Sequence, residues 1–262
     1  MTRNLVIIPT YNEIENIRKI ITAVLTLEDG FHVLVVDDNS PDGTAKEVTR
    51  MMEEYPRKLF LIERPGKLGL GTAYIEGFKW AISKGYEYII EMDADFSHNP
   101  KDLPRLLEAC RDRGADVAIG SRYSKGVNVV NWPLGRVLMS YFASLYVRLV
   151  TGMDVHDSTA GFVCYRAEVL YTIDLDKVMF KGYAFQIEMK YTAKLCGFTL
   201  VEVPIIFVNR VLGTSKMNGS IFGEALFGVI RLRIRSFTEK FPRKGSRRLA
   251  QYSEDEHIER SY

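Results

Sequence analysis

The chain has 262 residues, 47% of them hydrophobic and 26% charged, with 35 Lys+Arg against 33 Asp+Glu for a net charge of +2. That composition suits an ordinary globular core and excludes a wholly disordered, collagen-like or fibrous repeat chain. The balanced charge leaves no basic footprint, so no nucleic-acid partner is expected.

In chain order, short apolar runs at 5–8, 32–36, 59–62, 86–92 and 116–120 alternate with amphipathic segments near 13–27, 43–55, 71–83 and 101–113. Continuous β-branched runs separated by helical patterns read as buried parallel strands in βα units. The expected fold class is α/β: a Rossmann-like, doubly wound, mostly parallel sheet with ligands at the carboxyl ends of its strands. Polar residues follow three of those runs: Pro9 to Glu13, Asp37 to Ser40, and Asp93 to Asp95.

The second half changes style. Residues 133–150 read as a helix that is apolar nearly all round, and STAGFVCYR reads as a strand running into a turn. A helix is expected at 183–196, strands interrupted by Pro204 at 199–208, and a long amphipathic helix at 219–237. From Pro242 onward the chain is polar and expected to be mobile. The expected organisation is a catalytic domain over 1–217, an amphipathic C-terminal helix over 218–240 and a polar tail over 241–262.

A spanning helix needs about 20 mostly apolar residues. The longest stretch here without a charge is 11 residues, Val137 to Val147, so no transmembrane segment is expected. The run Leu5 to Ile8 is too short for the apolar core of a signal peptide. Cys110, Cys164 and Cys196 are widely spaced and odd in number, which fits free cytosolic thiols better than disulfides or a Cys-x-x-Cys metal site.

The nucleotide-binding fingerprints fail. Gly69-Leu70-Gly71 lacks the third glycine, since Tyr74 stands there, and no P-loop occurs. Those glycines are expected to shape a loop entering the helix near residue 72. Asp93-Ala94-Asp95 is sharper. It follows an apolar strand, and alternation along an extended chain points both carboxylates to one side. Such a pair suits a hard divalent cation completed by diphosphate oxygens and water, or a strand-end Asx turn. His98 reads as a loop or capping residue, with a metal ligand as the alternative; His32, His156 and His257 have no metal-like spacing. Asp37 and Asp38 close the second strand, where an acidic side chain can meet a ribose or base edge, while Asn39, Ser40 or Asp42 can cap the next helix.

IIPTYNE, VVDDNSPDGT, EMDADFSHNP, GSRY, DSTAGFVCYR and NRVLGTSKM occur in this order. Together they resemble the inverting family-two glycosyltransferases of GT-A fold, in particular those that act on dolichyl and other polyprenyl phosphates. The likeness covers about residues 4–237. It implies that Pro9, Tyr11, Glu13, Asp37 and Asp38 bind the base and ribose of the donor. It implies that Asp93, Ala94 and Asp95 bind the diphosphate, with Mg²⁺ or Mn²⁺ on the two carboxylates. Ser97 stands where some relatives carry Gln and is the weaker ligand. Arg122, Arg136 and Ser140 match acceptor-phosphate positions, and Arg210 and Lys216 match basic residues of a loop that closes on the donor. Asp95, Arg122, Arg210 and Lys216 would then carry the reaction.

The residues support these roles independently. Arg136 and Ser140 are four apart on one face of a predicted helix, near its N-terminus, where free N–H groups favour an anion. Arg210 and Lys216 bracket Gly213, Thr214 and Ser215, a flexible composition. The reaction that the resemblance implies is mannose transfer from GDP-mannose to a dolichyl or polyprenyl phosphate; Asp157 or Glu188 can orient the acceptor, and no base is assigned. The alternatives are another donor such as UDP-glucose, a protein- or polysaccharide-directed transferase, and a non-catalytic nucleotide-binding module.

A lipid acceptor implies a membrane surface. In the 221–237 segment, Ile221, Phe222, Ala225, Leu226, Val229, Ile230, Ile234 and Phe237 follow helical spacing. Lys240, Arg243, Lys244, Arg247 and Arg248 follow. With 133–150 this suggests peripheral attachment at the cytoplasmic face, or else helices packing on their own domain.

Overall fold

The computed structural model describes residues 4–209 and 220–246. The first half runs β1 (Asn4–Thr10), α1 (Ile14–Leu25), β2 (His32–Asp37), α2 (Thr44–Glu54), β3 (Leu59–Glu63), α3 (Leu70–Ser83), β4 (Tyr88–Glu91), α4 (Leu103–Arg111) and β5 (Val117–Ser121). The second half runs β6 (Val129–Val130), α5 (Leu134–Thr151), β7 (Val163–Arg166), α6 (Ala167–Thr172), α7 (Tyr183–Leu195), β8 (Leu200–Pro204), β9 (Phe207–Val208) and α8 (Ser220–Thr238). Every expected βα unit of the first half is present.

A seven-stranded sheet has the order β3-β2-β1-β4-β7-β5-β8. All its pairings are parallel except those of β7, which runs against β4 and β5. The chain winds from β1 outward through β2 and β3, then returns to β4 on the other flank of β1. The β1/β4 boundary is therefore the switch point, and the crevice opens at the carboxyl ends there.

Alternation along β1 splits the core. Leu5 and Ile7 face α3 and α7; Val6 and Ile8 face the side of α1, α2 and α4. Full burial of each such aliphatic side chain contributes about 1.5–3 kcal/mol, which is why these runs carry no polar face. Gly77 lets α3 lie against β1, since a Cβ there would come within 2.9 Å of Ile7 Cγ2.

Two expectations need correction. STAGFVCYR ends in a strand that leads to a helix, not a turn: β7 passes straight into α6, with Arg166 extended and Glu168 in the first turn, where an acidic residue favours the N-terminal dipole. The start of the polar tail is held in place. The Lys244 amide donates to Cys196 O at 2.8 Å, its ammonium pairs with the buried Asp116 at 2.8 Å, and the Gly245 amide donates to Glu168. Residues 247–262 lie outside the described residues.

Helix α8 packs on α5 and α7. Val229 and Leu232 are buried, a Cβ on Gly228 would meet the Phe180 ring at 2.8 Å, and Arg235 pairs with the buried Glu188 at 3.0 Å. Tyr146 Oη on α5 donates to Leu226 O. A second stripe, Phe227, Ile230, Ile234 and Phe237, is exposed. On α5, Leu134, Leu138, Phe142 and Leu149 form a similar exposed row, with Ser144, Val147 and Thr151 turned inward. Among the described residues no helix is long and apolar enough to cross a membrane.

Candidate active site

The site begins where β1 and β2 end. Thr10 and Asp37 are register partners, so the Thr10 hydroxyl donates to Asp37 Oδ1 at 2.6 Å. Ser40 adds its amide and hydroxyl to the same carboxylate at 2.8 and 2.6 Å. Asp37 is thus fully buried and spent on bracing two strand ends, a placement that differs from the expected contact with the donor. The turn after β1 is tied across to the loop after β2: Asn12 N donates to Ser40 Oγ, Glu13 N to Thr44 Oγ1 and Ile14 N to Asp42. Asn12 and Asn39 take left-handed φ values of 58° and 56°, conformations that Asn tolerates better than most residues.

Asp38, beside Asp37, does line the crevice, together with Pro9, Tyr11 and Glu13. Its carboxylate is gripped by the buried Arg64 at 2.5 Å, and Arg64 also donates to Thr72 Oγ1 and Gly69 O at the start of α3. Sequence reasoning missed Arg64; its place one residue past β3, next to Glu63, the register partner of Asp37, was the available signal. Gly69 has φ +107°, and a Cβ on Gly71 would meet the Phe185 ring at 2.8 Å, so both glycines shape the entry to α3 as expected. Lys67 Nζ lies 5.0 Å from the centroid of the Tyr11 ring.

Asp93, Ala94, Asp95 and Ser97 line the floor beyond β4. Asp95 Oδ1 accepts from the Ser97 amide at 3.0 Å, which fixes the turn. His98 stacks on Phe162 at 4.9 Å; burial pushes its pKa down to about 4, so it is neutral near pH 7. Its Nδ1 accepts from the Asp93 amide at 3.3 Å, in keeping with a loop-bracing histidine. Among the described residues no cluster of three His, Cys, Asp or Glu side chains could hold a metal alone. Two carboxylates open to a crevice fit a hard cation that takes its remaining ligands from substrate oxygens and water.

The opposite wall starts at the end of β5. Arg122 donates from Nε and Nη2 to Asp157 at 2.7 and 2.6 Å, and its backbone amide adds a third bond to the same carboxylate at 2.9 Å. Burial pushes the Asp157 carboxyl up, but the charge and hydrogen bonds of Arg122 outweigh it and hold the group below the usual carboxylate value. Tyr123, Trp132 and Phe207 flank the guanidinium at 5.4–5.5 Å. Arg136, in the first turn of α5, stacks on Trp132 at 4.0 Å and donates to Asn209 Oδ1 at 3.1 Å. Ser140 follows one turn later on the same face, and all three expected acceptor residues line the crevice. Glu188 does not: it accepts from the Met179 and Phe180 amides and from Arg235, and so anchors α8.

Between the two walls lies a pair that sequence reasoning also missed. Gln186 and Lys190 stand one turn apart on α7, and both are buried. Lys190 donates to Ala160 O, Gln186 O and Gln186 Oε1 at 2.7, 3.1 and 3.0 Å. Gln186 Nε2 donates to Glu91 at 2.8 Å. Burial pushes the Lys190 ammonium down to about 8 and the Glu91 carboxyl up to about 8, each opposed by the other's charge. Polar residues at i and i+4 amid Ala184, Phe185, Ile187 and Met189 were the visible hint.

The crevice residues of both walls, with Gln186, line one cavity of about 930 Å³, and Asp37, Arg64, Glu91, Asp157 and Lys190 stand behind its lining. Its lining divides by element. The strand ends supply carboxylates and Arg122, whereas α5 and α8 supply Met139, Phe142, Ala143, Tyr146, Val147, Leu226 and Val229. Arg210 and Lys216 lie outside the described residues.

Residues 5–174 match the family model described as Glycosyl transferase family 2. The chain is 49% identical over 233 residues to the polyprenol monophosphomannose synthase of Mycolicibacterium smegmatis, covering 89% of this chain and 88% of that one. It is 48% identical over 229 residues to the undecaprenyl-phosphate mannosyltransferase of Micrococcus luteus, covering 87% and 93%. The fold is similar to that of glucosyl-3-phosphoglycerate synthase from Mycobacterium tuberculosis, solved with Mn²⁺ and UDP-glucose. The TM-score is 0.62 at 18% identity, over 89% of this chain and 79% of that one.

Proposed function

Because the chain belongs to glycosyl transferase family 2, we propose that this glycosyltransferase moves mannose from GDP-mannose to a polyprenyl or dolichyl phosphate with inversion. The observation that carries the reading is the divided lining of the cavity. A lipid phosphate needs cationic and hydroxyl groups for its head and an apolar path for its tail, and Arg122, Arg136 and Ser140 adjoin the apolar residues of α5 and α8. A polysaccharide acceptor would call for an open polar cleft instead. The 49% identity to a polyprenol monophosphomannose synthase supports the same acceptor class.

In this reading Pro9, Tyr11, Glu13 and Asp38 meet the nucleoside, and Asp37 braces them from behind. Asp93 and Asp95, with Ser97 as a weaker neighbour, would hold Mg²⁺ or Mn²⁺; when bound, such an ion stabilises charge on the departing diphosphate. Arg210 and Lys216 are assigned to the same diphosphate. Arg122, Arg136 and Ser140 orient the acceptor phosphate. One of its oxygens bonds to the anomeric carbon while the bond from that carbon to the diphosphate breaks, its electron pair leaving with GDP. The transition state is oxocarbenium-like, as in other glycosyl reactions. A phosphomonoester has its second pKa near ~6, so the attacking oxygen is already ionised at pH 7 and needs no strong base. Asp157, spent on Arg122, serves to fix that guanidinium.

The test is product analysis with labelled nucleotide sugars and a panel of acceptors. A mannosyl-phosphoryl lipid formed from GDP-mannose is expected. Preferential transfer from UDP-glucose, or to sugar hydroxyls, would replace the assignment.

We also propose peripheral attachment at the cytoplasmic face of a membrane. The exposed rows on α5 and α8 flank the apolar part of the cavity, and contiguous exposed apolar surface of this kind marks an interaction site. Lys240 and Arg243 stand exposed beside it, whereas Lys244 is engaged by Asp116. Phe227 and Ile234 are 78% and 58% exposed. Replacing both with Asp is expected to reduce sedimentation with anionic liposomes while leaving Tm and GDP-mannose affinity unchanged. Undiminished sedimentation of the folded double variant would remove α8 from the membrane contact.

A further inference from the structure

We infer that Gln186 is a direct contact to the transferred sugar, a specificity-determining role that rests on the glycosyl-transfer reading above. Its place in the cavity is the first reason. Gln186 hangs from Glu91, two residues before Asp93, and through Lys190 it is joined to Ala160, three residues after Asp157. It therefore bridges the diphosphate side and the acceptor-phosphate side. The sugar being passed from one phosphate to the other has to lie in that interval.

The chemistry of the amide is the second reason. A side-chain amide has one oxygen and two N–H donors. The Lys190 ammonium donates to Oε1, which sets the amide so that Nε2 turns toward Glu91. The opposite orientation would set two donors against each other. One N–H is used by Glu91, and the second belongs to a residue that lines the cavity. Gly161 leaves room beside it: a Cβ at that position would stand 3.8 Å from Nε2. A neutral donor held in place by Glu91 and Lys190 suits a sugar hydroxyl, whereas a charged group would suit the phosphates on either side.

Lys190 holds the arrangement. Its three donors meet three acceptors, so the ammonium is satisfied without solvent, and it joins α7 to the 158–161 segment that carries Thr159, a partner of Arg122.

Two variants test the contact, read against wild type with GDP-mannose and polyprenyl phosphate and by calorimetric titration with GDP alone. Gln186→Met removes the donor with little change in volume. Gln186→Glu retains an acceptor for Lys190 but removes both N–H groups, the one that meets Glu91 included. Each is expected to lower kcat/KM for GDP-mannose by roughly tenfold or more, the scale of one lost hydrogen bond to a positioned substrate. GDP affinity, which involves no sugar, is expected to stay within about twofold on the same scale. A merely structural role would lower both together. Wild-type kcat/KM in either folded variant, or an equal fall in GDP affinity, overturns the inference. If wild type itself transfers no mannose, the functional reading fails instead, and the two failures are distinct.

Discussion

Asp95→Asn is expected to retain the fold and lose transfer on the order of 10²-fold or more, the loss typical when one group that stabilises transition-state charge is removed. The substitution is nearly isosteric, and Asn can still accept from the Ser97 amide, which the carboxylate now meets at 3.0 Å. What disappears is a negative charge facing the crevice, half of the carboxylate pair that suits a divalent cation. Tm should stay close to that of wild type, while the response of activity to added Mg²⁺ or Mn²⁺ weakens. The check is initial rate against metal concentration in wild type and variant, with chelator as the zero point. Full activity in the variant, or undiminished wild-type activity in excess chelator, would remove the metal from the reaction.

The second large effect concerns stability. Asp157→Ala is expected to cost about 3–5 kcal/mol, because it strands the guanidinium of Arg122 in a site from which water is largely excluded. Asp157 has no exposed surface and receives three bonds from Arg122. For a chain of this size each kcal/mol shifts Tm by roughly 2–4 °C, so a fall on the order of 10 °C is expected. Asp157→Asn should cost less, since its oxygen can still accept from the Arg122 amide. The pH dependence has a definite sign. The folded-state pKa of Asp157 lies below the ordinary 3.8. Its contribution is therefore complete above that value and is lost as pH falls through the folded pKa. Denaturant titrations between neutral pH and pH 3 should show wild type losing stability at the acid end, and the Ala variant losing less. A variant as stable as wild type at pH 7 would show that the pair contributes nothing net.

These two residues illustrate what can and cannot be read from a linear chain. Asp95 announces itself: two carboxylates two apart at the end of an apolar run share a side by the geometry of an extended backbone alone. The βα units were legible on the same ground, because a strand buried on both faces has to be apolar throughout and its helices have to be amphipathic. The cavity's position followed, since polar residues after consecutive parallel strands converge on one edge of the sheet. Arg136 and Ser140 were paired by helical spacing. In each case the determining interaction spans a few residues.

Tertiary structure decided the rest, and the reason is that burial and charge pairing join residues far apart in the chain. Asp37 and Asp38 are neighbours of identical type, yet strand register gives Asp37 to Thr10 and Ser40, while Arg64 gives Asp38 its place in the wall. Arg122 becomes a fixed charge only because Asp157, 35 residues on, is folded against it. Gln186 and Lys190 acquire a role only where α7 meets Glu91 and Ala160. The same holds for α8, whose apolar residues formed one stripe by spacing. Packing divides them: Val229 is turned into the core, while Leu226, Ile230, Ile234 and Phe237 are left outside; Leu232, outside that stripe, is buried and Phe227 exposed. Periodicity states that a helix has an apolar surface, but which part of it the protein covers depends on where α5 and α7 stand.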